Sequence, residues 1–164
     1  MRGLRWSNVN FESRLVEVSQ RADAAHRIGR LKTKAGYRSI PCPPIVLNAL
    51  REWKLLCPKG DMDLVFPNGV GRVESYANLL ERGFQPTQKA AGIVDPEGRP
   101  KYGMHSLRHA RASLWIESGH NPKQIQRLMG HSSIKMTFDV YGHLFPSLED
   151  DHAKFAAGEL SLIG

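Results

Sequence analysis

Cysteine, acidic residues and long apolar runs are all scarce in this sequence, and each shortage removes a class of function. Only Cys42 and Cys57 are present. They have neither a CxxC spacing nor enough partners for a disulfide framework, which excludes a disulfide-stapled secreted domain and a structural zinc site and suits a reducing cytoplasm. The longest apolar stretches, such as Pro43 to Leu50, fall far short of the roughly 20 residues a membrane-spanning helix needs. The opening MRGLRWSNVNF lacks the apolar h-region of a secretory signal. There is no internal repeat and no low-complexity segment.

What is present suits one folded domain. The chain has 164 residues, 41% hydrophobic and 24% charged, so it can bury a core. Lys and Arg number 23 against 16 Asp and Glu, a net charge of +7. The excess is unevenly placed: residues 1–57 carry +7, residues 58–100 carry −1, residues 101–141 carry +4 and residues 142–164 carry −3. Two basic blocks flanking a neutral middle can form a surface that grips a polyanion and releases its counterions. On charge alone that polyanion is nucleic acid or an acidic membrane surface, and a solvated basic face with no partner stays in play.

The pattern along the chain predicts a small sheet followed by helices. Val9 to Phe11 and Arg14 to Ser19 read as strands joined by a tight turn at Glu12-Ser13, and Tyr37 to Ile40 as a returning strand stopped by Pro41. The basic, Gly-bounded stretch Arg27 to Gly36 reads as an exposed loop, giving the sheet a basic tip. After Pro43-Pro44, apolar residues from Ile45 to Leu56 recur at helical spacing and end before Pro58. Ser75 is placed to cap a helix running to about Lys89, with Leu79, Leu80 and Phe84 inward. Met104 to Gly142 is helical throughout, punctuated by Gly119, Asn121-Pro122 and Gly130.

Two clusters carry chemistry. On the helix opened by His105-Ser106-Leu107-Arg108-His109, residues His105, Arg108 and His109 share one sector, and Leu107, Ala110 and Leu114 lie opposite as the expected core face. A guanidinium among imidazoles, with no carboxylate within a turn, calls for an anion. The second cluster, Leu128-Met129-Gly130-His131-Ser132-Ser133, ends one helix at Gly130 and caps the next with Ser132 or Ser133. That puts His131 at a helix N-terminus, where backbone N–H groups attract anions, and Tyr141 near the end of the same helix. Ser106 stands where a zinc-binding HExxH motif needs Glu, so no metal is expected. Pro122 to Tyr141, bent at Gly130, also has the outline of a helix-turn-helix, which keeps a plain DNA-binding module open.

Taken together, these motifs resemble the catalytic domain of the tyrosine recombinase (phage integrase) family. The resemblance rests on HSLRH at 105–109, LMGHSSI at 128–134, Thr137 and Tyr141-Gly142-His143. Upstream it takes in Leu4 to Val9 and the hairpin Lys32 to Pro41, so that it covers about residues 4 to 145 in order. It implies an α+β, mainly helical fold with a small antiparallel β-sheet near the N-terminus. It implies DNA cleavage and rejoining through a 3′-phosphotyrosine, with Tyr141 as nucleophile, Arg108 on the non-bridging oxygens and His105 assisting proton removal from Tyr141. His131 would donate to the phosphate and Lys32, more than Lys34, would act as general acid.

By the same resemblance no cofactor is needed and the partner is double-stranded DNA, contacted by Arg30, Lys34, Arg38 and Arg111. A homotetramer on DNA is expected of the full-length protein, in the cytoplasm of a bacterial or phage-infected cell. The expected division is a catalytic domain over 1–145 and a C-terminal tail over 146–164, which the resemblance reads as a subunit-exchange segment. A tail folded back on its own domain or partly disordered fits that segment equally well. The family's first phosphate-clamping Arg and its core-binding domain would lie before Met1, so the chain is expected to be an N-terminally shortened piece, weak or inactive alone. A DNA-binding module without cleavage and a topoisomerase-like relaxing enzyme are the competing expectations.

Overall fold

The computed structural model describes residues 1–145, and the expected subunit-exchange tail lies outside them. The architecture is α+β and mostly helical, with a small antiparallel sheet near the N-terminus. Strands β1 (Val9–Asn10), β2 (Leu15–Val18) and β5 (Arg38–Pro41) form a three-stranded sheet in the order β1-β2-β5. Val16 pairs with both Val9 and Ile40, lining up apolar side chains across the sheet. The β1–β2 turn is held by Asn10, whose Oδ1 accepts from the amides of Glu12 and Ser13 at 3.0 and 2.8 Å. Pro41, expected to stop β5, is its last residue.

The stretch Arg27 to Gly36 is not a loop throughout. It contributes β4 (Ile28–Gly29), which pairs antiparallel with β3 (Arg21–Ala22), and a 3₁₀ turn at Lys34–Gly36. Asp23 fixes that reversal, accepting the Arg27 amide at 2.9 Å. A polar side chain closing a turn leaves no apolar periodicity, so the pattern gave no sign of a strand there.

Helix α1 (Pro44–Leu56) starts with Pro at its first position, where the missing N–H has no intrahelical partner to lose. It buries Leu47 and Leu50 with Trp6, Val9, Cys57 and Val65, the first of two cores. The Trp53 indole donates to the Val65 carbonyl at 2.6 Å, tying α1 to the segment that follows it. Ser75 caps the next helical stretch as expected, accepting the Asn78 amide. There α2 (Tyr76–Asn78), a π-helical segment (Leu79–Phe84) and α3 (Gln85–Ala90) follow without a break.

Three helices build the second core. They are α4 (Met104–Glu117), α5 (Pro122–Met129) and α6 (Ile134–Tyr141). Asn121 and Gln124 make a reciprocal capping box at the start of α5, and Gly130 ends it in the left-handed region at φ 69°. Ala112, Trp115, Ile116, Ile125, Met129 and Tyr141 are buried together, with Ile40 of β5 packed against them.

The expected core face of α4 is reversed. Leu107 and Leu114 are exposed by 53% and 51%, while Ala112, Trp115 and Ile116 are buried. At about 100° per residue, the buried set continues the His105–Arg108–His109 stripe along the helix. That stripe is therefore polar in its first turns, where Arg108 is half-buried and His105 and His109 are exposed, and apolar and buried in its last, so a pattern read only over the first turns points the wrong way. Among the described residues no helix is long and apolar enough to cross a membrane.

Candidate active site

The polar stripe of α4 meets the end of α6 and the turn before it. Tyr141, the last residue of α6, is buried at 3% exposure because Thr137 and Tyr141, one turn apart, form the only buried stripe of that helix. Its hydroxyl lies 3.0 Å from Nδ1 of His109. The His131 ring runs nearly parallel to the Tyr141 ring, 12° apart with centroids at 6.3 Å. His131 Nδ1 is hydrogen-bonded at 2.9 Å to the hydroxyl of the fully buried Thr137. That contact orients the imidazole and engages its Nδ1.

Two arginines brace this turn. Arg108 donates to the Met129 carbonyl, and Arg38 donates through Nε to the neighbouring Leu128 carbonyl at 2.9 Å. A second donation from Arg38, to Gly36 at 2.7 Å, is local to the turn before β5, while the bond to Leu128 ties the sheet to the helical core. Both guanidiniums thus sit at the negative end of the α5 dipole. A Cβ on Gly130 would come within 2.8 Å of the Arg38 guanidinium and 2.9 Å of the Ala35 carbonyl, so this close approach requires glycine.

The electrostatics follow from burial and these cations. Burial raises the Tyr141 phenol above its ordinary value, an effect the nearby Arg108 only partly offsets. Burial first, then Arg108 and Arg38, hold the His131 imidazole below its ordinary value. Burial, and secondarily Arg108, also lower Arg38. Among the described residues the ion pairs lie elsewhere, at Asp23–Arg27, Asp95–Arg99, Glu97–Arg99 and Lys135–Asp139. Among the described residues no carboxylate pairs with Arg38 or Arg108 beside the buried phenol, an arrangement that favours a nearby anion.

The sequence profile of the phage integrase family matches residues 1–147. The chain belongs to that family. This phage integrase family member is 40% identical over 161 residues to the ICEBs1 integrase of Bacillus subtilis (strain 168), covering 93% of this chain and 43% of that protein. It is 29% identical over 157 residues to the transposase from transposon Tn916 of Enterococcus faecalis, covering 86% of this chain and 37% of that one. Its fold matches a Tn1549 transposon integrase in complex with transposon right end DNA, with a TM-score of 0.69 and 25% identity over 98% of this chain and 53% of that chain. The chain spans about two-fifths of the length of these curated relatives.

Of the residues expected to act in this integrase family member, the fold brings Arg108, His131 and Tyr141 together. His105 lies against His109, with ring centroids 5.4 Å apart and the rings edge to face. Lys32 and Lys34 are exposed on the loop and 3₁₀ turn after β4 and make no side-chain hydrogen bond among the described residues. Arg30 is exposed beside them. Arg38 donates through Nε and Nη1 to the carbonyls of Leu128 and Gly36. Arg111 is exposed and lies over the Trp115 ring at 4.6 Å. His109 is the residue that reading by motif passed over, although it shares the sector of His105 and Arg108 on α4.

Proposed function

We propose that this chain is the catalytic domain of a site-specific DNA recombinase or integrase, occupying residues 1–145. The phenol of Tyr141 attacks the scissile phosphorus. A Tyr141–phosphorus bond forms to the 3′ side, the bond to the 5′ oxygen breaks, and Lys32 supplies the proton to that oxygen. The reverse attack by a 5′-hydroxyl, from the same or a partner strand, rejoins DNA with no cofactor, because the phosphodiester energy is kept in the covalent intermediate. Arg108 holds the non-bridging oxygens, and His131 donates to one of them from the nitrogen that Thr137 leaves free. Arg30, Lys34 and Arg111 supply contacts to the DNA backbone, and the protein acts as a homotetramer on double-stranded DNA with 146–164 exchanged between subunits.

The observation that carries this reading is the buried Tyr141 beside Arg108 and His131, with no neutralising carboxylate among the described residues. A helix-turn-helix function fits less well. The second helix of such a motif reads DNA with an exposed polar face, whereas α6 exposes Ile134, Met136, Phe138 and Val140.

A pool of nicked duplexes with randomised sequence tests the proposal. The full-length protein should retain a subset of strands through denaturation in detergent, and its Tyr141→Phe variant should retain none. Retention unchanged by that substitution contradicts the reading, and relaxation of plasmid lacking the selected sequence favours a topoisomerase-like enzyme instead.

A further inference from the structure

We infer that His109 is the group that takes the proton from the Tyr141 hydroxyl, a role that rests on the cleavage reaction proposed above. The resemblance assigned proton removal to His105, but the geometry favours its neighbour one turn on. His109 Nδ1 is 3.0 Å from the phenol oxygen, with the two ring centroids 5.7 Å apart. His105 makes no hydrogen bond to that oxygen among the described residues and stands edge-on behind His109. His131 is poorly placed to accept, since its ring lies parallel to the Tyr141 ring and its Nδ1 is engaged by Thr137.

The need for an acceptor follows from the phenol's surroundings. Buried and raised above its ordinary value, it stays protonated near neutral pH and cannot attack until a base in contact removes the proton. With the hydroxyl donating, Nδ1 of neutral His109 is the acceptor and Nε2 carries the hydrogen. As the Tyr141–phosphorus bond forms, the phenolic proton passes to Nδ1, leaving an imidazolium. When the phosphotyrosine is resolved, the same proton returns to the departing phenol oxygen. Nothing beyond DNA and the chain's own groups is consumed.

His109 is also reachable from solvent. It is exposed and lines an open groove of about 530 Å³ with Phe84, Ile93, Tyr102 and Leu107. That groove allows a small base to enter where the side chain is removed, which separates proton transfer from mere support of a buried hydroxyl.

The test uses a strand captured from the nicked pool. His109→Ala is expected to slow adduct formation by about 10²-fold or more and to recover a large part of the loss in added imidazole, while His105→Ala slows it less and does not respond. A ¹⁵N spectrum of the unsubstituted protein should show His109 with Nε2 protonated and Nδ1 bare. Cleavage by His109→Ala within about twofold of the unsubstituted rate, or a loss that imidazole leaves untouched while the thermal melt is unchanged, overturns the inference. Tyr141-dependent cleavage surviving in that outcome leaves the recombinase reading standing. No Tyr141-dependent adduct from the full-length protein overturns both.

Discussion

Arg38 and Arg108 hold two successive carbonyls of one helix end, those of Leu128 and Met129. One arginine comes from the sheet and the other from α4, so the turn carrying His131 is clamped from both sides. The site is therefore a joint between the sheet and the helical core, and its geometry depends on Arg38 as well as on Arg108.

Replacing Arg38 tests the joint. Arg38→Ala removes two charge-assisted donations, each contributing about 1.5–3 kcal/mol, and leaves the Gly36 and Leu128 carbonyls without those donors. Because Arg38 is only half-buried and water replaces part of each bond, urea denaturation should show a loss of roughly 2–4 kcal/mol rather than the full sum, with Arg38→Lys recovering only part because an ammonium cannot span both carbonyls. A loss under about 0.5 kcal/mol would mean that the clamp does not hold the sheet and the helical core together.

Gly130→Ala should damage stability and cleavage together. The left-handed conformation costs about 1–2 kcal/mol for a residue with a side chain, and the added carbon meets the Arg38 guanidinium at 2.8 Å. A melting temperature within a degree or so of the unsubstituted protein would show that the turn relaxes freely.

Much of this was legible in the sequence, for identifiable reasons. The sheet, α1, the Ser75 cap and the break at Gly130 each have a local signal: alternation, helical spacing, a capping hydroxyl or a glycine. The stripe along α4 did not, because it changes from imidazole and guanidinium to Trp115 and Ile116 partway along, and apolar patterning sees only the second half. Arg38 read as a free cation because its acceptors are backbone carbonyls, one of them 90 residues away. His109 was in view as a member of the right sector, and only the fold decides which of two neighbouring imidazoles meets the phenol.

Thr137→Val probes how His131 is set. The substitution keeps the shape of a fully buried side chain and deletes the hydroxyl at 2.9 Å from Nδ1. It should cost about 1 kcal/mol of stability, alter the ¹⁵N tautomer signature of His131 and slow adduct formation. Normal cleavage with an unchanged tautomer would remove Thr137 from the account.

Stability should fall as the solution is acidified through the imidazole range. The His131 pKa is depressed in the folded protein, so the unfolded chain binds the proton first as pH falls. The contribution from neutral His131 is present above the unfolded imidazole value of about 6.5 and is lost as pH drops through the lower folded value. In His131→Gln the slope of unfolding free energy against pH should be shallower across that window. An unchanged slope would place the acid sensitivity elsewhere.

The central claim is that one particular phenol becomes joined to DNA. Tryptic mass spectrometry of the captured adduct reads this directly, because Tyr37, Tyr76, Tyr102 and Tyr141 are the four tyrosines of the chain and fall in separate peptides. The account predicts a deoxynucleotide 3′-phosphate on the peptide beginning at Met136, which contains Tyr141. The same mass on a peptide carrying Tyr37, Tyr76 or Tyr102, or no linked nucleotide on any peptide, would contradict it.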